Sequence, residues 1–242
     1  MSRSAFSIDL DRCIGCQACA VACATANEVP PGETLIRITD IVRQRPGGLW
    51  GSFAHRRCFH CDTAACVSGC PAGALSRQEG LTVVDPQRCT GCAYCVDACP
   101  FQVPQVSDNR VWKCLACTEQ AKVGQRPWCE QTCPNEAIRF GDREVLLQEA
   151  RDRVAALRTR YPDAQVYGDT QLGGLGLLMV LLDRPPVYGL PEKPATPSVV
   201  RVWSEVVRPA SAGLSAAAVA GAGLLFVVAR RRHVREKEGG DE

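Results

Sequence analysis

Aromatic residues are scarce in this chain, with 6 Phe, 4 Trp and 4 Tyr among 242 residues, and Met occurs only twice. So few large apolar side chains make a thin core, which is marginal without covalent or metal staples. An excess of either charge is lacking too. Lys plus Arg number 28 against 26 for Asp plus Glu, which excludes the strongly basic surface that nucleic-acid affinity requires. No Ser–His–Asp arrangement, Walker loop or dinucleotide fingerprint is legible, so the chain is expected to have no catalytic residue and no small-molecule substrate of its own. The opening MSRSAFSIDL holds no apolar run behind its arginine and no twin-arginine pair, and is not expected to act as a secretory signal.

What the chain has in abundance is cysteine, 16 residues in all. That density implies a disulfide scaffold, metal sites or clusters, and the cysteines must then hold the fold as well as carry its chemistry. They form four quartets: Cys13, Cys16, Cys19 and Cys23; Cys58, Cys61, Cys66 and Cys70; Cys89, Cys92, Cys95 and Cys99; and Cys114, Cys117, Cys129 and Cys133. None follows Cys133.

The quartets are internal repeats of two kinds. FSIDLDRCIGCQAC and LTVVDPQRCTGCAYC share an apolar run, an acid four residues before the first cysteine (Asp9, Asp85), an arginine just before it (Arg12, Arg88), and then C-x-G-C-x-x-C. The second and fourth quartets instead open with C-x-x-C, stretch the gap to the third cysteine and close with C-x-x-x-C-P, running into PAGAL or PNEAI. The second quartet leads through a turn near Gly80 and the strand LTVVD into the third, which makes a two-cluster ferredoxin in miniature over 58–99. The first and fourth supply the same halves in swapped order, as a second module split around the continuous one. Pairing first with second and third with fourth also mixes the two kinds, but it reverses the half-order of the continuous unit.

Thiolates ligate iron–sulfur clusters four at a time, and in the bacterial run C-x2-C-x2-C-x3-C-P the fourth cysteine serves the neighbouring cluster. The third quartet fits this run fully; the first carries Ala24 in place of the proline. Crosswise sharing then gives four expected 4Fe–4S sites. Site one takes Cys13, Cys16, Cys19 and Cys133, and site two Cys114, Cys117, Cys129 and Cys23. Site three takes Cys58, Cys61, Cys66 and Cys99, and site four Cys89, Cys92, Cys95 and Cys70. Disulfides suit this pattern poorly, because cysteines in tight trios pair badly. Structural zinc uses pairs of C-x-x-C knuckles; the fourth quartet alone could pass for one, whereas C-x-x-C-x-x-C trios do not suit a tetrahedral ion.

Other residues say less. His60, beside Cys61, reads as a surface residue or a neighbour that tunes a cluster, and His55 is uninformative. Trp112 is expected to pack over a cluster edge, while Lys113 and Arg12 either offset cluster charge or are solvated.

Outside the cysteine region, ETLIRITDIV (33–42) predicts a strand and PGGLWG (46–51) a loop. Leu146, Ala150, Val154 and Leu157 sit at helical spacing over 143–160, with Asp142 as N-cap and Pro162 as a stop. The apolar run Leu172–Leu182 is too short to cross a membrane and predicts a buried strand or helix. Five prolines between Pro185 and Pro197 predict an extended strap. From Pro209 to Ala229 there are 21 residues without a charge, a helix of roughly 32 Å that matches a hydrocarbon core. Its small residues (Ala210, Gly213, Ala217, Gly221) suit close packing against another helix. A buried helix of a soluble domain is the competing reading. Arg230, Arg231, Arg232, His233 and Arg235 follow at once and predict a cytoplasmic C-terminal end with the cysteine-rich body outside, a bias that Arg201 and Arg208 on the other flank weaken.

The four-quartet layout over residues 5–140 resembles the iron–sulfur subunits of the dimethyl-sulfoxide-reductase superfamily. In that family the first quartet pairs with the fourth. The related nitrate reductase subunit has a tryptophan where this chain carries Cys92, so the resemblance implies four cubanes here. QVYGDTQLGGLGLLMVLLDRPPVYGLPEKP (165–194), followed by VWSEVVRPASAG and the apolar helix, is similar to the beta subunit of membrane-bound formate dehydrogenases. Where that group tends to carry Gly-Gly-Thr-His, this chain reads Gly-Gly-Leu-Gly at 173–176. The resemblance implies a molybdenum or tungsten bis-pterin catalytic subunit as electron donor, a cytochrome b subunit that reduces quinone as acceptor, and export in the folded state on a partner's twin-arginine signal.

The expected fold class is therefore α+β, with two ferredoxin-like modules, a C-terminal extension and a single membrane helix. The expected boundaries are 1–57 for the first half of the split module with an insertion, 58–100 for the continuous module, and 101–142 for the second split half. A helix and strap over 143–205, a membrane helix over 206–230 and a charged tail over 231–242 complete the chain.

Overall fold

A computed structural model describes residues 3–45 and 47–238. In chain order it runs through β1 (Ser4–Asp9), α1 (Ala18–Ala26), the hairpin β2 (Arg37–Arg45) and β3 (Gly48–Arg56), α2 (Ala65–Ser68), the hairpin β4 (Leu75–Gln78) and β5 (Leu81–Val84), and α3 (Tyr94–Ala98). Then come the hairpin β6 (Gln105–Ser107) and β7 (Arg110–Trp112), α4 (Thr118–Lys122), α5 (Trp128–Gln131), β8 (Ile138–Asp142), α6 (Arg143–Leu157), β9 (Gln165–Tyr167) and β10 (Leu177–Leu181). From Ser198 onward the described residues form a separate unit, containing α7 (Ser198–Val202) and α8 (Arg208–Glu238).

The apolar run at 172–182 becomes β10, an inner strand of the sheet ordered β8-β1-β10-β9. It lies parallel to β1, with Phe6 opposite Leu177, and antiparallel to β9. Both of its faces are covered, which is why it shows no polar alternation. Leu177, Met179 and Leu181 point into the core shared with the cysteines, while Leu178 and Val180 meet α6. The helix answers with Leu146, Leu147, Ala150, Val154 and Leu157, all buried.

The Asp142 side chain caps α6 by accepting from the N–H groups of Glu144 (2.9 Å) and Val145 (3.2 Å). Asp142→Ala should remove about 1 kcal/mol and lower the unfolding midpoint by roughly 2–4 °C. An unchanged thermal melt, followed by circular dichroism, would refute the capping role.

Two strand pairings organise the cysteine region. β4, which follows the second quartet, pairs antiparallel with β5, which precedes the third. β1, which precedes the first quartet, pairs antiparallel with β8, which follows the fourth, with Phe6 opposite Phe140. The same relation thus joins neighbours in one case and chain segments more than a hundred residues apart in the other. The local backbone repeats as well. Gly15 and Gly91 share φ +68°, and Gln17 and Ala93 share φ +60°. A side chain is ruled out at Gly91 because a β-carbon there would lie 2.6 Å from the Asn109 Cα.

Three sequence expectations need correction. Residues 48–51 are not loop: they begin β3, pairing with β2 through Arg45 opposite Gly48 and Val42 opposite Gly51. Residue 46 lies outside the described part. The strand signal at 33–42 therefore belonged to a hairpin of β2 with β3. The strap after Pro185 contains one 3-10 turn, Pro185–Tyr188, pinned by the buried Tyr188. In the second unit helix begins at Ser198, since no proline interrupts the chain between Pro197 and Pro209. A π turn over 203–207 leads into α8, just ahead of Pro209, which has no N–H to give to a regular turn. Within α8, Pro209–Arg230 is long and apolar enough to cross a membrane, and the helix continues into the charged tail as far as Glu238.

Candidate iron–sulfur centres

Each C-x-x-C-x-x-C run leads into a short helix that turns its last thiols inward, so Cys19 and Cys23 of α1 and Cys95 of α3 are buried. The chain then brings thiols of different quartets together. Cys13, Cys16, Cys19 and Cys133 line one hollow. Cys89, Cys92 and Cys95 line another with Cys70. Two further groups are buried more deeply. Cys23 interacts electrostatically with Cys114, Cys117 and Cys129, and Cys61 with Cys58, Cys66 and Cys99.

The groups also neighbour one another. Cys19 of the first feels Cys129 of the second, Cys58 feels Cys114, and Cys66 feels Cys95 of the last. They form a line, and the exposed thiols Cys16 and Cys92 lie in its two end groups. Among the described residues no three His, Cys, Asp or Glu side chains converge on a single metal ion.

Burial raises most of these thiols, because charge is costly away from water. Cys19 is pushed up to about 11 and Cys23 to about 12. Cys66 rises to about 12, and Cys95 and Cys117 to about 11. Two thiols move the other way. Burial would raise Cys114 as well, but Arg57, His60 and Lys113 outweigh it and hold that thiol well below its ordinary range. Against the same burial, His60 and Lys113 bring Cys58 down to about 7. Iron binds thiolates, so the raised thiols must release their protons on loading while Cys58 and Cys114 are poised to bind.

The cations responsible are themselves buried. Arg57, 1% exposed, donates from Nη1 to Cys129 Sγ (3.4 Å) and from Nη2 to Cys114 Sγ (3.3 Å). Its guanidinium lies 4.4 Å from the centre of the Phe6 ring. Lys113 Nζ donates to the carbonyls of Thr82 (2.6 Å) and Cys114 (2.7 Å); it is not solvated. His60 is fully buried rather than superficial, and its Nδ1 accepts from the Thr82 N–H (3.0 Å). The proton then sits on Nε2, which faces the thiols of Cys58 and Cys114. His55 proves informative after all, with Nε2 3.2 Å from Cys13 Sγ. Burial and Arg57 lower it to about 4, so the ring is neutral. Trp112 packs in the core that also holds Cys114, with the Arg110 guanidinium 4.1 Å from its ring centre.

Arg57 was missed at the level of sequence, although a signal existed. A basic residue precedes the first cysteine of every quartet: Arg12, Arg57, Arg88 and Lys113. The Gly-Gly-Leu-Gly departure also acquires a setting. Leu175 bridges to Cys61, the Gly176 N–H donates to His60 O (2.9 Å), and a β-carbon on Gly176 would lie 2.8 Å from both Gly80 O and His60 Cβ.

Grouped thiols, buried N–H donors without oxygen partners and widely set sulfurs fit iron–sulfur clusters in their donor chemistry. The comparisons define the class: residues 50–143 match the 4Fe-4S dicluster domain family. The chain is 36% identical to the nitrate-inducible formate dehydrogenase iron-sulfur subunit of Escherichia coli K12, over 90% of this chain and 82% of that protein. Identity to the formate dehydrogenase iron-sulfur subunit of Haemophilus influenzae is 35%, over 88% and 78%. The thiosulfate reductase electron transfer subunit of Salmonella typhi is 43% identical, over 55% of this chain and 72% of that one. This chain belongs to the family of formate dehydrogenase iron–sulfur subunits.

Proposed function

We propose that the chain is the electron-transfer subunit of a membrane-bound formate dehydrogenase, holding four 4Fe–4S clusters between a molybdenum or tungsten bis-pterin catalytic subunit and a membrane cytochrome b. The observation that carries this reading is the crosswise grouping of thiols, three from one run and one from another. Bound clusters supply one-electron redox centres. The chain's own residues do the rest: sixteen thiolates hold the clusters, the apolar walls and short helices keep water from the inner two, and the buried donors offset their charge. The line of groups, with exposed thiols only in its end members among the cysteines, suits entry at site one and exit at site four.

In this reading 58–100 is a continuous ferredoxin module, and 1–57 with 101–142 a split one; the matching β4–β5 and β1–β8 pairings support that division. Pro209–Arg230 anchors the chain in lipid, and the arginines from Arg230 to Arg235 favour a cytoplasmic C-terminal end with the cysteine-rich body outside.

The test is to purify the membrane complex anaerobically, identify its largest subunit, count iron and assay formate-dependent dye reduction. Expected are about sixteen irons per chain, as four cubanes require, and reduction of dye by formate. A colourless, zinc-loaded chain would end the cluster reading. Dye reduction linked to thiosulfate and not to formate would favour the second reading, the same wire in a sulfur-compound reductase, which the Salmonella likeness supports.

A further inference from the structure

We infer that Arg57 makes site two, formed by Cys114, Cys117, Cys129 and Cys23, the centre of highest reduction potential in the line. The inference rests on the four-cluster reading above. Adding one electron to a thiolate-bound cubane increases its negative charge by one, and a fixed cation nearby favours that state. No proton accompanies the electron, because a guanidinium stays charged throughout. Arg57 reaches two sulfurs of this one site, at 3.3 and 3.4 Å. It is 1% exposed, and among the described residues no carboxylate pairs with it. Its charge is therefore neither screened by water nor spent on an acid.

The other sites have weaker claims. At site one His55 is buried beside Cys13 but neutral, and Arg12 is half exposed and paired with Asp9 at 3.6 Å. Arg57 acts on Cys19 there through its charge alone, its two sulfur hydrogen bonds going to Cys114 and Cys129. Site four is walled by uncharged residues such as Pro71, Leu75, Tyr94, Val106 and Val111. Lys113 and His60 act on thiols of both sites two and three, whereas the hydrogen bonds of Arg57 to sulfur go to site two alone. An electron entering the line would thus come to rest at site two, and leaving it would be the uphill step.

The experiment is a redox titration, followed by electron paramagnetic resonance, of the purified complex and its Arg57→Gln and Arg57→Lys variants. A charge-assisted hydrogen bond lost in Arg57→Gln should reduce the reduced-to-oxidised ratio of one cluster about tenfold at fixed ambient potential. For a one-electron couple that is a midpoint about 59 mV lower. Arg57→Lys, which keeps the charge but loses the two-pronged contact, should shift the same cluster less. A second measurement needs no substitution. In the native complex grown with nitrogen-15 arginine, pulsed resonance on the first cluster to reduce should show nitrogen-15 coupling. Unmoved midpoints in a fully iron-loaded Arg57→Gln complex, or no such coupling, would overturn the inference while the wire stands. A native complex with far fewer than about sixteen irons would strike the four-cluster reading itself.

Discussion

Cys23→Ala and Cys117→Ala should abolish or alter the same resonance signal, although the two residues sit in the first and last quartets, while Cys19→Ala should change a different one. Each substitution removes a thiolate that three others need, because Cys23 lies among Cys114, Cys117 and Cys129, and Cys19 lines a hollow with Cys13, Cys16 and Cys133. Iron should fall by about four per chain in each variant. If the proposed function holds, formate-to-quinone electron flow in the complex should fall to background, since among the described residues the groups form a single line. If Cys19→Ala and Cys23→Ala erased one common signal instead, each quartet would hold its own cluster and the crosswise arrangement would be wrong.

Stripping the iron with an oxidant and a chelator should cost the cysteine-rich body its cooperative fold. Cys19, Cys23, Cys95, Cys114 and Cys129 are buried among the core residues themselves. Without clusters the thiols with raised values become neutral and the hollows between them lose their contents. Cys114, held low by Arg57, His60 and Lys113, keeps its charge beside them. What is lost is the metal–thiolate bonding that ties the core together, and the free energy of binding a structural metal is folding free energy. Set against the 5–15 kcal/mol that typically separates folded from unfolded domains, that loss is decisive in a chain with so few aromatic residues. Near-ultraviolet dichroism and limited proteolysis of the stripped complex would follow it. A stripped chain that still melts cooperatively within a few degrees of the loaded one would show that the polypeptide core suffices.

Much of the architecture was legible from local pattern. Asp142, with four apolar residues at helical spacing behind it, specified α6, and the chain confirms it with a side-chain cap and a fully buried stripe. The run at 172–182 announced burial but not its form, since an element covered on both faces carries no periodicity. Its strand state follows from the parallel contact with β1, distant in sequence. The loop reading failed at 48–51 for a related reason. Glycine-rich composition marks a turn, yet Gly48 and Gly51 take part in a ladder of nine cross-strand pairs along β2 and β3.

Cysteine spacing alone determined the donor chemistry, because trios at intervals of three residues can wrap a cluster and cannot easily do anything else. Spacing also determined that a basic residue stands before each quartet. What only the tertiary structure decided is which of those four cations matter: Arg12 and Arg88 come to the surface, whereas Arg57 and Lys113 are enclosed beside thiols. The physical reason is that a charge's influence depends on the medium around it, and a one-dimensional pattern carries no record of where water ends.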